Sequence, residues 1–203
     1  LATFAMEAYK DDECAEFMPK MSGGAAAIDE KTKRLTSQMH KAIAIIQFKI
    51  EGQLIAKHPE WKMDKRRLFE HINYEKKEIE IDGKIYPMTS CHFPTINPAS
   101  PYELSPEEMV LMGKLHHSFM VCEKLHKHIK VMLQHGCMYT IINNNLLFHA
   151  SCPLNEDGSL KEVEIFPGKK FAGRDLMHQT GMQIRTAFQS DSDPKEREYA
   201  NDY

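Results

Sequence analysis

Apolar residues recur every three or four positions along two long stretches of the chain, which predicts two amphipathic helices. The first stretch runs from about Asp29 to Lys57, and its apolar stripe consists of Leu35, Met39, Ala42, Ile43, Ile46, Ile50 and Leu54. The second begins with a capping box at Ser105 and continues to Gly136. Its stripe consists of Leu111, Leu115, Phe119, Cys122, Leu125, Ile129 and Leu133. We expect both stripes to pack into a hydrophobic core.

Alternation of polar and apolar residues predicts two β-hairpins. In the hairpin near 78–86, Asp82-Gly83 supplies the positive-φ turn between two short strands. In the hairpin over 138–149, three asparagines at 143–145 tolerate a left-handed turn. The remaining predicted elements are a helix over 1–9, a flexible break at Ser22–Gly24, an extended Pro-rich connection over 92–102, a turn over 155–158, a strand over 162–166, a closing helix over about 174–189 and a final stretch of helical composition over 196–203. The fold class is therefore α+β, rich in helix.

Composition narrows the classes of function. With 42% hydrophobic residues, the 203-residue chain can bury a core. Lys and Arg total 26 against 29 Asp and Glu, which gives no electrostatic case for nucleic acid as a partner, and no apolar run is long enough for a membrane span. The first residues lack the basic region of a signal peptide. Five scattered cysteines without a CxxC pair favour a reducing, cytoplasmic location.

Motifs for nucleotide binding and serine hydrolysis do not occur: the sequence has no GxGxxG, GxxxxGK[ST], HExxH or GxSxG. Histidines 116, 117, 126, 128 and 135 scatter around a helix without carboxylates at ligand spacing. His149 differs because it ends an apolar strand and precedes a loop. On the residues alone it is either a metal ligand at a strand end or a histidine packed beneath that loop with one hydrogen bond. Lys169, Lys170 and Arg174 are plausible phosphate-facing cations, although surface cations usually only interact with solvent.

Several long strings resemble the class-3 fructose-1,6-bisphosphatases, a metallophosphoesterase-type family. They are LATFAMEAY (1–9), KAIAIIQFKIEGQLI (41–55), FPTINP (93–98), PYELSPEE (101–108), SFMVCEKLHKHI (118–129) and MYTIINNNLLFHASCPLNEDGS (138–159). The resemblance covers essentially the whole chain. It implies a β-sandwich core whose loops hold two divalent ions, usually manganese, through DxH, GDxxD, GNH, a strand-end His and a late GH.

The resemblance divides the chain into two parts. Residues 1–136 would form a helical insertion with its hairpin near 78–86. Residues 137–203 would be part of the phosphatase core, with strands over 138–149 and the closing helix over about 174–189. The remaining ligand motifs would lie outside this chain, which would then be an internal piece of the enzyme.

The strand-end ligand matches His149 in LLFHASCP, where the family typically reads LLFHGCIP. Here Ala150 replaces a glycine that permits backbone positions alanine resists, and Ser151-Cys152 replaces Cys-Ile. The implied reaction is manganese-dependent hydrolysis of fructose 1,6-bisphosphate, with an oligomer possible. Because a two-metal site needs more donors than one histidine, we expect the chain alone to be inactive. Two other functions stay open, a non-catalytic helical assembly module and a His-rich metal-storage or regulatory domain.

Overall fold

The computed structural model describes residues 1–19, 28–149, 151–166, 168–189 and 193–202. The predicted break at Ser22–Gly24 lies outside the described residues. The chain forms two compact units, a first unit of Leu1–Met120 and a second unit of Val121–Tyr203. Helices and small antiparallel sheets make up both units, so the predicted α+β class is confirmed. The assignment of 137–203 to a phosphatase core stays a prediction.

Three α-helices and one small sheet build the described part of the first unit. Its elements are α1 (Ala2–Ala8), α2 (Glu30–Lys57), β1 (Ile72–Asn73), β2 (Glu78–Ile81), β3 (Lys84–Pro87) and α3 (Pro106–Met120). The strands pair antiparallel in the order β1-β2-β3. Asp82 and Gly83 join β2 to β3 with φ of 49° and 76°, which is the predicted turn. Asp29 caps α2 through its Oδ1, which accepts from the Thr32 N–H at 3.0 Å.

The second unit alternates helices with two-stranded sheets. Its elements are α4 (Glu123–His135), β4 (Tyr139–Ile142), β5 (Asn145–Phe148), β6 (Val163–Phe166), β7 (Lys169–Phe171), α5 (Gly173–Phe188) and α6 (Pro194–Asp202). β4 pairs with β5, and β6 pairs with β7, both antiparallel. The sequence predicted each of these except β7 and the separate start of α4. None of the described helices combines the length and apolar character that crossing a bilayer requires.

The predicted single helix from Ser105 to Gly136 is wrong, because the chain leaves the helix between α3 and α4. Cys122 has φ −80° and ψ 93°, an extended conformation that interrupts the helical hydrogen bonds. A long helix persists mainly where its apolar stripe is buried. Phe119 is 62% exposed and Cys122 is exposed as well, so the predicted stripe has no packing to hold it straight at this point.

The core of the first unit contains two clusters of buried residues against α2. One consists of Ala5, Tyr9, Cys14 and Ala42, and the other of Ile45, Phe69, Ile96 and Tyr102. The buried face of α2 is not its most apolar one. Gln38, Lys41 and Lys49 are buried, whereas Ile50 of the predicted stripe is 36% exposed. The face is set by partners that satisfy these polar groups.

Lys41 is fully buried between two carboxylates and two rings. Its Nζ donates to Asp12 Oδ2 at 2.7 Å and to Glu16 Oε1 at 2.9 Å, and it lies 5.4 Å from the Phe93 ring centroid. Burial opposes ionisation of Asp12, but the hydrogen bonds from Lys41 and from the Cys14 N–H hold the pKa of Asp12 below its usual value. Burial also raises the pKa of Tyr9 to about 12 and that of the Cys14 thiol to about 11.

The lowered pKa of Asp12 predicts that acid weakens the first unit. A carboxyl group whose folded pKa lies below its unfolded value stabilises the fold above the unfolded pKa, about 3.9, and this stability is lost as the pH falls through the folded pKa. We expect the free energy of unfolding to fall more steeply below about pH 4 in the native chain than in Asp12→Asn. Urea unfolding at several pH values, followed by fluorescence of Trp61, measures this. The exposed Asp11→Asn is the matched control, and parallel pH curves for Asp12→Asn and the native chain would contradict the prediction.

Candidate functional site

The hairpin of β4 and β5 brings His149 to the end of a strand. Tyr139 pairs with Phe148, and Ile142 pairs with Asn145, so the turn contains only Asn143 and Asn144. Their φ values of 50° and 64° are left-handed, a conformation that asparagine adopts more readily than most residues. This part of the prediction is confirmed, with Asn145 belonging to the strand and not to the turn.

The imidazole of His149 is exposed to solvent. It makes no hydrogen bond within the described part of the chain, which does not include the next residue, Ala150. The alternative of a histidine packed beneath its loop is therefore not what these residues show. An exposed, unpaired imidazole at a strand end can accept a metal ion through either ring nitrogen.

The other candidate residues stay apart. Histidines 116, 117, 126, 128 and 135 are all exposed, and the described residues contain no group of three or more His, Cys, Asp or Glu that could hold a metal. Lys169 and Lys170 lie on β7, where Lys169 Nζ is 5.7 Å from the Phe166 ring centroid. Arg174 is exposed in the first turn of α5. Within the described part of the second unit, no contact joins His126, Lys169 or Arg174 to His149.

Arg185 of α5 is a residue that the sequence analysis missed. Its Nη2 donates to the Gly136 carbonyl at 2.8 Å, and its Nη1 donates to the Gly181 carbonyl at 2.9 Å. Beside it lies a groove of about 470 Å³ between α5 and the start of β4, lined partly by Met138 and Met182. No local pattern signals this contact, because Gly136 and Arg185 are 49 positions apart.

Among the described residues, the donor chemistry offers at most one candidate ligand for a metal centre. A divalent pair needs several donors, of which carboxylates offset the charge of the ions. His149 would contribute one neutral nitrogen, and no cluster among the described residues supplies the rest. The geometry alone supports a strand-end histidine presented on a hairpin whose base is fastened to a helix.

Comparison with known proteins relates the whole chain to one protein family. The sequence model of the family described as Firmicute fructose-1,6-bisphosphatase matches residues 1–203. A protein named fructose-1,6-bisphosphatase class 3 from Phocaeicola vulgatus is 49% identical over 204 residues, and one from Parabacteroides distasonis is 50% identical over 203. Both alignments cover 100% of this chain and 30% of the relative, so the chain spans about a third of the length of these relatives. No solved structure matches.

Proposed function

Because this chain belongs to the Firmicute fructose-1,6-bisphosphatase family, we propose that it is one segment of an enzyme that hydrolyses fructose 1,6-bisphosphate to fructose 6-phosphate and phosphate. The observation that carries the proposal is the match along all 203 residues to relatives that bear this activity in their names. The enzyme would be a phosphoric monoester hydrolase of gluconeogenesis. We also propose a cytoplasmic location, because the five cysteines are free and the cytoplasm keeps thiols reduced.

Residues 137–203 would be part of a metallophosphoesterase-type core. The support is the uncovered apolar surface of the hairpin. Its exposed side chains are Ile141, Ile142, Leu146, Leu147 and Phe148, each at least 40% exposed. Adjacent apolar side chains of this kind mark a surface that other polypeptide covers. In the proposed enzyme the cover is the remaining two thirds of the chain.

His149 would be one ligand of a manganese pair. The chemistry that such a pair supplies is neutralisation of charge on the phosphoryl oxygens. The contribution of this chain is to hold the imidazole directly after β5, where it is exposed to solvent. With one candidate donor among the described residues, the 203 residues alone would release no phosphate.

Replacing His149 tests this assignment in a protein of full family length that contains these residues. We expect His149→Ala to weaken manganese binding by at least roughly 10- to 100-fold. Loss of a residue that only hydrogen-bonds to a metal ligand already costs this much. The readouts are manganese affinity, from the electron paramagnetic resonance signal of the free ion, and phosphate release from fructose 1,6-bisphosphate. His126→Ala removes another exposed histidine and should change neither. Unchanged manganese affinity in His149→Ala would remove His149 from the metal site.

A non-catalytic assembly module is the second candidate, and the surface of α3 favours it. Met109, Val110 and Met120 are each at least 56% exposed on this helix. Such a surface could serve a partner without any chemistry. Absence of phosphate release from the full-length protein, with manganese supplied, would favour this alternative.

A further inference from the structure

We propose that Arg185 is a positioning residue, which fixes the base of the β4–β5 hairpin on α5 and thereby sets where His149 stands. The inference rests on the proposed function for the role of His149. The anchoring itself rests on contacts within the second unit. Arg185 would touch neither metal nor substrate and would act through the hairpin.

The guanidinium joins two carbonyls that belong to different parts of the unit. One bond, Nη1 to Gly181 O at 2.9 Å, returns to its own helix and fixes the orientation of the side chain. The other, Nη2 to Gly136 O at 2.8 Å, reaches the residue directly after α4, three positions before β4. A planar guanidinium with donors in a fixed geometry can hold two such acceptors at once. Arg185 therefore fastens the entrance of the hairpin to α5.

The same surface of α5 also contacts Met138, which directly precedes β4. The last strand pair at the base of the hairpin is Tyr139 with Phe148, so Met138 and His149 are the residues that adjoin this pair. A Cβ added to the buried Gly181 would lie 3.4 Å from Met138 Cγ and 3.3 Å from Arg185 Nη1. Both residues thus pack at one place on the helix. A displacement of Met138 would shift the adjacent Tyr139 and its strand partner Phe148, which directly precedes His149.

Within the described residues, the hairpin is weakly held apart from this anchor. A two-stranded hairpin is marginally stable by itself, and the side chains of β4 and β5 are largely exposed. A metal ligand must be held within roughly 0.5 Å of its working position. A hydrogen bond at the base restricts how β5 tilts and so restricts the imidazole at its end.

The test uses the full-length protein with Arg185→Ala, Arg185→Lys and, as the matched control, Arg174→Ala. Arg174 is also on α5 but is exposed, with only a 3.8 Å contact to Asp175. We expect Arg185→Ala to accelerate hydrogen exchange of amides 138–148 in the metal-free protein. We also expect it to weaken manganese binding about 10-fold, the size of effect seen when a residue that supports a metal ligand is lost. Lysine can reach one carbonyl and should restore part of both. Arg174→Ala should leave both unchanged.

A cycle with His149→Ala separates positioning from general damage. If Arg185 acts through His149, Arg185→Ala should weaken manganese binding no further once the imidazole is gone. An additional loss in that background would overturn the inference, as would native hydrogen exchange in Arg185→Ala. Exchange of the β6 amides, which lie in the second unit but outside the hairpin, reports whether a variant is folded, and Arg185→Lys serves if the alanine variant is not.

The two proposals fail in different ways. If His149→Ala weakens manganese binding and Arg185→Ala changes neither readout, the positioning role is wrong and the metal assignment stands. If His149→Ala leaves manganese binding unchanged, the metal assignment is wrong and the positioning role falls with it, whatever the exchange of the hairpin shows.

Discussion

Replacing Lys49 by methionine is expected to lower the free energy of unfolding of the first unit by about 3–5 kcal/mol, the typical cost of removing one member of a buried ion pair. Lys49 Nζ donates to Glu108 Oε2 at 2.7 Å and to the Thr95 carbonyl at 2.6 Å. The two side chains are 0% and 1% exposed. Without the ammonium group, the carboxylate stays buried and loses its cation.

Two further variants decide whether the pair is responsible. Glu108 Oε2 also accepts from the Ser105 N–H at 2.8 Å, and glutamine can keep that capping bond. We therefore expect Lys49→Met with Glu108→Gln to recover more than half of the loss. Lys33→Met breaks an exposed pair with Glu30 on the same helix and should cost less than about 0.5 kcal/mol. Urea unfolding followed by Trp61 fluorescence gives each value, and a cost below about 1 kcal/mol for Lys49→Met would mean that the pair behaves as a surface pair.

The substitution Gly52→Ala is expected to destabilise the first unit by about 2–4 kcal/mol. Overpacking and the loss of a buried hydrogen bond lower the stability, and the higher helix propensity of alanine offsets a part of this loss. A Cβ on Gly52 would overlap Cδ1 and Cε1 of the Tyr102 ring. That ring cannot move freely. It stacks on Phe69 with centroids 5.5 Å apart, and its hydroxyl accepts from the Phe69 N–H at 3.1 Å.

Gly113 provides the control for this substitution, because it is also within a helix but a Cβ added there would have nothing within 4 Å. Gly113→Ala should stabilise the chain by roughly 0.5–1 kcal/mol through helix propensity alone. The same urea and fluorescence measurement serves both variants. If Gly52→Ala also stabilises the protein, α2 and Tyr102 are not packed as closely as the structure shows.

Local sequence signals predicted most of the secondary structure because each rests on a few adjacent residues. The start of α2 near Asp29, the Ser105 cap, the Asp82-Gly83 turn and the asparagine turn all stand where the sequence places them. β7 was missed because Lys169–Phe171 is short and has no apolar alternation. The break near Cys122 was missed because the apolar stripe continues through it in the sequence.

The buried face of α2 and the candidate site depended on distant partners that local patterns do not contain. Lysines at 41 and 49 look like solvent-exposed positions until Asp12 and Glu108 are placed beside them. His149 was proposed as a ligand through family resemblance, since the residues alone favoured a structural role. Arg185 carries no signal at all, because its partner is a backbone carbonyl far along the chain.

The pairing of Lys49 with Glu108 constrains how this family can diverge. A protein with a single neutral replacement at either position has one buried charge without its partner and is therefore of low stability. Two replacements together remove both charges and restore a packed interior. Lineages should therefore either keep both charges or exchange them for apolar or amide residues as a couple. Positions 49 and 108 should covary, although 59 positions separate them and neither is near the candidate ligand in the chain.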